Sequence, residues 1–229
     1  MPLYLVSTPI GNREDITLRA KEILLRVDLI ACEDTRKTSR LLEFLSPSSP
    51  RPPLISYYEE NEGKRIPFLL EKMREGKDVA LVSNAGTPLV SDPGFKLVRA
   101  CLENGIEVRA IPGPSAVITA LVLSGLPPDK FIFLGFLPKK EGKKRKTLES
   151  VKSLAATSLS PTVIFYESPF RLRKTLILMK EIFGDSILVV IARELTKMHE
   201  EIMRGNLGEI LASLPSKKIK GEVTVLFHW

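Results

Sequence analysis

Four apolar runs in the first half of the chain are too short for helices and stop at short polar turns. They are Leu3–Ser7, Leu29–Ala31, Val79–Ser83 and Val108–Ile111. Leu3–Ser7 is expected to be a buried strand and Val79–Ser83 one buried on both faces, with Leu29–Ala31 a short apolar run and Val108–Ile111 a further strand. Segments with helical spacing lie between them: Thr17–Arg26, the stretch through Leu41, Leu42 and Leu45, Ile66–Arg74, and Phe95–Glu103. On Thr17–Arg26 the expected buried stripe is Leu18, Ile23 and Leu24. Short buried strands alternating with helices make a parallel sheet with crossover helices, so the fold class is α/β.

The second half is less regular. Ser115 is placed to cap an apolar helix over Ala116–Leu123 that ends at Gly125. Strands are expected over Phe131–Phe136, Thr162–Tyr166, Ile187–Ala192, Glu200–Met203 and Glu222–Phe227. Helices are expected over Leu148–Ala156, Arg171–Phe183 and about Leu207–Leu214. Hairpin-like returns among these strands imply a mixed sheet. The Ile111–Ser115 turn is the natural junction, giving two α/β domains: 1–114 with a mostly parallel sheet and 115–229 with a mixed one.

Charge separates the halves. The 229 residues carry a formal net charge of +7, and residues 1–115 hold 16 basic and 16 acidic side chains. The whole excess lies in residues 116–229, and Lys139–Lys146 alone has six basic residues against one Glu. Such asymmetry points to a polyanion, nucleic acid before membrane, with a solvated basic face as the plainer alternative. Lys217, Lys218 and Lys220 form a smaller cluster that suits a solvated turn.

Other classes lack their signatures. Cys32 and Cys101 are the two cysteines, far apart, so neither a disulfide framework nor a cysteine zinc site is expected. His199 and His228 are the two histidines, read as structural, and no metal is expected. Two thiols suit a reducing cytoplasm. The opening Met1-Pro2-Leu3-Tyr4-Leu5 has no basic n-region, and no apolar run approaches the roughly 20 residues of a spanning helix. No GxG, GxxxxGK[ST] or GxSxG occurs, so dinucleotide, P-loop and hydrolase-elbow sites are not indicated.

Chemistry is expected at the loops leaving the carboxyl ends of the first four strands: Thr8–Asn12, Glu33–Arg36, Asn84–Pro88 and Pro112–Ser115. Open parallel sheets bind ligands there, and small residues let a ligand approach the backbone. Each loop alone could be a plain tight turn. Four at one sheet edge favour a small-molecule site.

The motifs then carry a resemblance. Thr8-Pro9-Ile10-Gly11-Asn12 with Asp15-Ile16-Thr17 comes first, followed by Glu33-Asp34-Thr35-Arg36. Next are Ser83-Asn84-Ala85-Gly86-Thr87-Pro88 through Ser91-Asp92-Pro93-Gly94, and Ile111-Pro112-Gly113-Pro114-Ser115-Ala116. Gly135-Phe136-Leu137-Pro138, Tyr166-Glu167-Ser168-Pro169 with Arg171, and Arg193-Glu194 with Thr196-Lys197 complete the series. Taken in order, they resemble the ribosomal RNA small-subunit methyltransferase I family of the tetrapyrrole methylase superfamily. The resemblance runs from Leu3 to about Phe227.

It implies a two-domain fold with S-adenosylmethionine in the cleft between α/β halves. It implies 2′-O-methylation of a cytidine ribose in small-subunit (16S) rRNA near the decoding centre, on rRNA or a 30S particle, by a cytoplasmic homodimer. Cofactor-lining positions carried over are Pro9, Asn84, Gly86, Thr87, Val90, Ser115 and Ala116, with Phe165, Tyr166 and Ala192 from the second domain. Core packing is the alternative for Val90 and Ala192. Two positions depart from the family pattern: Asn84 stands where Asp is usual, and Phe170 where His is frequent.

Methyl transfer to a hydroxyl is an in-line displacement, helped by placement and by a base that takes the proton. The candidate bases are Glu33, Asp34, Glu167, Glu194 and Lys197, the last if burial or Arg193 kept it neutral. Asp34 and Arg36 are expected to position the nucleotide, with Glu194 and Lys197 near the hydroxyl; structural ion pairs are the alternative. RNA phosphates are assigned to Lys139, Lys140, Lys143, Lys144, Arg145, Lys146 and Arg171, with Arg173 and Lys174 extending that surface. Two other functions compete: a tetrapyrrole or other small-molecule methyltransferase, which would not need the cationic run, and a non-catalytic RNA-binding relative, for which Asn84 leaves room.

Overall fold

The computed structural model describes residues 1–48, 50–156, 160–215 and 219–229. Lys217 and Lys218 lie outside the described residues. The chain forms two compact units, Met1–Ser115 and Ala116–Trp229, dividing one residue later than the expected 114/115 junction.

The first unit runs β1 (Leu3–Val6), α1 (Leu18–Arg26), β2 (Leu29–Cys32), α2 (Thr35–Leu45), β3 (Leu54–Ser56), α3 (Glu62–Arg74), β4 (Val79–Val82), α4 (Phe95–Glu103) and β5 (Val108–Ile111). Its sheet has the order β3-β2-β4-β1-β5 and every pairing is parallel. Alternate residues of each strand serve opposite cores, because successive side chains leave opposite faces of a strand. Tyr4, Val6, Ile30, Cys32, Ala80 and Val82 pack under α1 and α2. Leu3, Ala31, Val79 and Leu81 pack with α3 and α4.

Three expectations are corrected here. Leu18 is 88% exposed. Thr17 caps α1 by accepting from the Ala20 N–H, and the buried stripe is Ala20, Ile23 and Leu24, the helical spacing that starts one turn inside the cap. Strand β3 was not anticipated: it is three residues long, follows Pro52-Pro53 and closes the sheet edge. Helix α3 starts at Glu62, four residues before its apolar spacing begins. Glu62 is buried, accepting from Tyr57 Oη at 3.1 Å and pairing with Lys96 at 2.6 Å.

The second unit runs α5 (Ala116–Ser124), β6 (Phe131–Phe136), α6 (Glu141–Lys152), β7 (Thr162–Glu167), α7 (Leu172–Phe183), β8 (Leu188–Arg193), β9 (Glu201–Asn206), α8 (Leu207–Ser213) and β10 (Val223–His228). The sheet order is β6-β7-β10-β8-β9, with β6 parallel to β7 and the other pairs antiparallel. Phe165, Val189, Ile191, Val225 and Phe227 pack against α6, α7 and α8; α5 lies against the same sheet. Asn206 and Glu209 form a reciprocal capping box that starts α8 directly from β9. Trp229 stacks on Phe183 and touches Phe227.

Candidate functional site

Strand β1 is flanked by β4 and β5, so the loops after these three strands are neighbours. The helix that follows β1 lies on one face of the sheet and the helix that follows β4 on the other. The crevice between β1 and β4 is therefore the point where the winding reverses, the place where open α/β sheets take ligands. Three loops are stitched together there. Thr8 and Gly86 exchange both backbone hydrogen bonds at 2.9 Å. Ser7 Oγ donates to Thr87 Oγ1 at 3.1 Å, and Thr87 Oγ1 donates to the Pro114 carbonyl at 3.1 Å. Thr8 Oγ1 donates to the Ser83 carbonyl at 3.3 Å. The hydroxyls thus serve the scaffold, which holds a preformed edge of backbone and small side chains.

Pro9, Gly86, Thr87 and Ser115 all lie on this edge, and Ala116 follows directly as the first residue of α5. Val90 lies on the loop after β4 and is exposed, which removes the core-packing alternative for it. That loop also holds Leu89 and Ser91 with φ of 72° and 66°, left-handed conformations that cost L-residues about 1–3 kcal/mol each.

Asn84 occupies the next position along the edge. Its Oδ1 is buried and accepts no hydrogen bond among the described residues. A buried acceptor without a donor is costly unless a ligand supplies one. Beside it, Glu33, Asp34, Arg36, Ser56, Tyr58 and Glu60 border an open concavity of about 390 Å³ at the ends of β2, β3 and β4. Ser56, Tyr58 and Glu60 were missed from the sequence. The apolar pair Leu54-Ile55 was their available signal, hidden by the preceding prolines.

Asp34 caps α2, accepting from the Arg36 N–H at 2.9 Å and from the Arg36 guanidinium at 3.0 and 2.8 Å. That guanidinium, first through its hydrogen bonds, holds the Asp34 carboxyl far below the usual carboxylate range. Asp34 is thus a fixed anion and a weak base, and the Arg36 side chain is 85% exposed.

In the second unit the loop after β8 places Glu194 and Thr196 in left-handed conformations, φ 51° and 61°. Lys197 Nζ donates to Glu194 at 2.8 Å and to Glu222 at 3.0 Å, and the Glu222 N–H donates to Glu194 at 2.9 Å. Burial opposes the charge on Lys197, but its two carboxylates outweigh it and raise its pKa. Burial likewise opposes the charge on Glu194, and Lys197 with the Glu222 N–H outweighs it and lowers its pKa. A neutral Lys197 acting as base is therefore corrected: it is held as a cation.

Glu167 is corrected too. It is buried, with Oε1 accepting from the Ser168 N–H at 2.7 Å and from Arg171 at 2.5 Å. Its Oε2 accepts from Lys144 at 3.1 Å and from Thr175 at 2.6 Å. No lone pair is left for a substrate proton. The same network corrects Lys144 as a phosphate contact: its side chain is 7% exposed and faces inward from α6. Arg171 is bound to Glu167 and the Leu137 carbonyl, and Arg145 pairs with Glu181. Lys139, Lys140, Lys143 and Lys146 are exposed.

Phe165 is corrected as a cofactor-lining side chain. It is fully buried and its ring packs edge-on against Phe227 in the core, because the strand alternation turns it to the face opposite Tyr166. Ala192 is buried on β8. Cys32 and Cys101 are buried, and burial raises the Cys101 thiol to about 11. Among the described residues no three His, Cys, Asp or Glu side chains gather to hold a metal ion, and no helix is long and apolar enough to cross a membrane.

Residues 2–211 match the family described as Tetrapyrrole (Corrin/Porphyrin) Methylases. The chain is 48% identical over 227 residues to a ribosomal RNA small subunit methyltransferase I of Hydrogenobaculum sp. (strain Y04AAS1), covering 99% of this chain and 95% of the relative. It is 49% identical to the protein of that name from Thermotoga maritima, covering 98% and 96%. Its fold is similar to that of a cobalt precorrin-4 methyltransferase of cobalamin biosynthesis, with TM-score 0.72 at 19% identity over 100% of this chain and 95% of that one. It is also similar to the uroporphyrin III C-methyltransferase of Thermus thermophilus, with TM-score 0.64 at 18% identity over 99% and 97%.

Proposed function

The chain belongs to the tetrapyrrole methylase family, and from that premise we propose that it transfers a methyl group from S-adenosylmethionine to the 2′-hydroxyl of a cytidine in small-subunit (16S) rRNA. The observation that carries this reading is identity of 48–49% over nearly the whole chain to relatives named for rRNA methylation. The tetrapyrrole neighbours share the fold at 18–19% identity, too distant to carry a substrate. The exposed lysines Lys139, Lys140, Lys143 and Lys146 suit a polyanion and are not needed for a small tetrapyrrole.

The residues present fit the cofactor. Asn84 Oδ1 is an unused buried acceptor, and S-adenosylmethionine carries an ammonium and an adenine amine as donors. The backbone edge formed by Pro9, Gly86, Thr87 and Ser115, running into Ala116, would line it. When bound, the cofactor supplies an electrophilic methyl group. The protein's part is placement: the loops are already tied to one another by hydrogen bonds, which limits the reorganisation needed to set an oxygen in line. Glu167 and Lys197 are unsuited as bases, and Asp34 and Glu194 are held as weak ones. Asp34 and Arg36 border the open concavity and would orient a nucleotide, while Glu194 and Lys197 would offer a fixed dipole rather than proton abstraction. A cytoplasmic homodimer accords with this reading; the exposed Ile118 and Val122 of α5 are apolar surface that a second copy would cover.

The test uses methyl-labelled cofactor with 30S particles, naked 16S rRNA and a tetrapyrrole. Label on a single ribose of the rRNA is expected. Label on the tetrapyrrole, or on nothing despite RNA binding, overturns the proposal.

A further inference from the structure

Strand β6 is bulged. Phe133 pairs with Ile164 and Phe136 with Tyr166, so β6 advances three residues while β7 advances two. Gly135 within the bulge has φ 64°, a conformation natural for glycine. In a regular strand Phe133 and Phe136 would face opposite ways. The extra residue returns Phe136 to the face of Phe133, and both rings meet Tyr166. The Phe133 centroid is 4.9 Å from that of Tyr166 and edge-on to it; the Phe136 centroid is 5.3 Å away and tilted by 57°. Phe136 is thereby braced from one side while remaining 59% exposed. An exposed aromatic ring held by a backbone irregularity does no service to the core.

What lies next in the chain identifies its partner. Leu137 is buried and anchors the turn, and Lys139 and Lys140 follow within about 11 Å of chain. Both are exposed, and neither forms an ion pair among the described residues. Helix α6 continues the positive surface through Lys143 and Lys146. An aromatic face beside cations that have no carboxylate to neutralise them matches an unpaired base attached to a phosphate backbone.

We propose that Phe136, braced by Tyr166, is a stacking platform for an unpaired base of the RNA strand, with Lys139 and Lys140 contacting its phosphates. The inference rests on the rRNA reading above and adds to it a base contact that charge alone does not provide. Stacking accepts any base, so the platform contributes affinity and register rather than sequence choice.

The experiment compares a single-stranded oligoribonucleotide with an abasic ribose-phosphate oligomer of equal length, across a salt series. The wild-type chain is expected to bind the base-bearing strand about tenfold more tightly. Phe136→Ala removes that preference, leaves abasic affinity unchanged and keeps the same salt slope; Phe136→Tyr retains the preference. Lys139→Ala with Lys140→Ala weakens both oligomers and flattens the slope. Equal wild-type affinity for the two oligomers overturns the platform without any variant, and so does Phe136→Ala behaving as wild type. Failure of the rRNA reading is separate: it shows as no label on 16S rRNA in the transfer assay, whereas a chain that methylates rRNA yet ignores bases here loses the platform alone.

Discussion

Lys144 shows how far a residue's role depends on where its side chain ends. In the sequence it is one of six cations among the eight residues Lys139–Lys146. In the structure it is buried with Glu167 and Thr175, and breaking such a pair leaves a charge without its partner in a poor solvent for it. Lys144→Met is expected to cost about 3 kcal/mol of stability by urea denaturation and to leave the salt dependence of RNA binding unchanged. A parallel loss of slope would return Lys144 to the phosphate contacts. Glu194 and Lys197 make a second residue-level case, this time in pH. The folded-state pKa of Glu194 lies below the ordinary 4.5, so its stabilisation is present above that pH and is lost as pH falls through the folded value. That of Lys197 lies above the ordinary 10.5, so its share is present below that pH and is lost as pH rises through the folded value. The stability difference between wild type and Lys197→Met should therefore be about 1 kcal/mol and level between about pH 5 and pH 10. It should shrink towards both extremes, as followed by thermal melts across the range. Gly221 is part of that cluster: at φ 96° a Cβ would fall 2.5 Å from Glu194 Cγ, so the close approach of backbone to carboxylate requires glycine there.

At the scale of elements, α6 converts a basic run into two faces. Lys144, Leu148 and Val151 turn inward, as i, i+4 and i+7 must on one helix. Lys143 and Lys146 turn out, with Lys139 and Lys140 ahead of the first turn. Four exposed cations, each neutralising one phosphate of a single strand, contribute a salt slope of about −0.7 apiece. Replacing Lys139, Lys140, Lys143 and Lys146 together by Ala should therefore reduce the slope by about 3, measured by RNA affinity over a salt series. The helix expected from the sequence begins at Leu148, which leaves Lys144 among the phosphate contacts; the helix starts at Glu141 instead, and this puts Lys144 on the face of Leu148 and Val151. A neighbouring carboxylate on β7 was not legible, because only the folded sheet brings residue 167 to residue 144. Phe165 and Tyr166 are both carried over by the resemblance as cofactor-lining although neighbouring residues of a strand face opposite ways, and on β7 Phe165 is the one turned into the core. The bulge in β6 was hidden, since a single extra residue leaves no periodic trace in six.

At the scale of the molecule, two separately cored units carry different charge: a neutral one that holds the stitched loops and a basic one that holds α6. If the loops of the first unit hold S-adenosylmethionine, saturating cofactor stabilises the chain by mass action, by about 2.7 kcal/mol at a hundred times its Kd. Asn84→Leu, which removes the unused acceptor, is expected to lose most of that thermal shift; an unchanged shift would place the cofactor's donors elsewhere. The sequence by itself determined the α/β class, a first half of short strands alternating with crossover helices in a parallel sheet, the loops at the sheet edge and the asymmetry of charge. Those properties follow from local periodicity, turn chemistry and composition, all written within a few residues of one another. The tertiary structure alone decided which charges are spent on each other, which carboxylates remain available as bases, and which aromatic ring is left exposed. Those depend on contacts between residues far apart in the chain, where burial and partner geometry outweigh residue type.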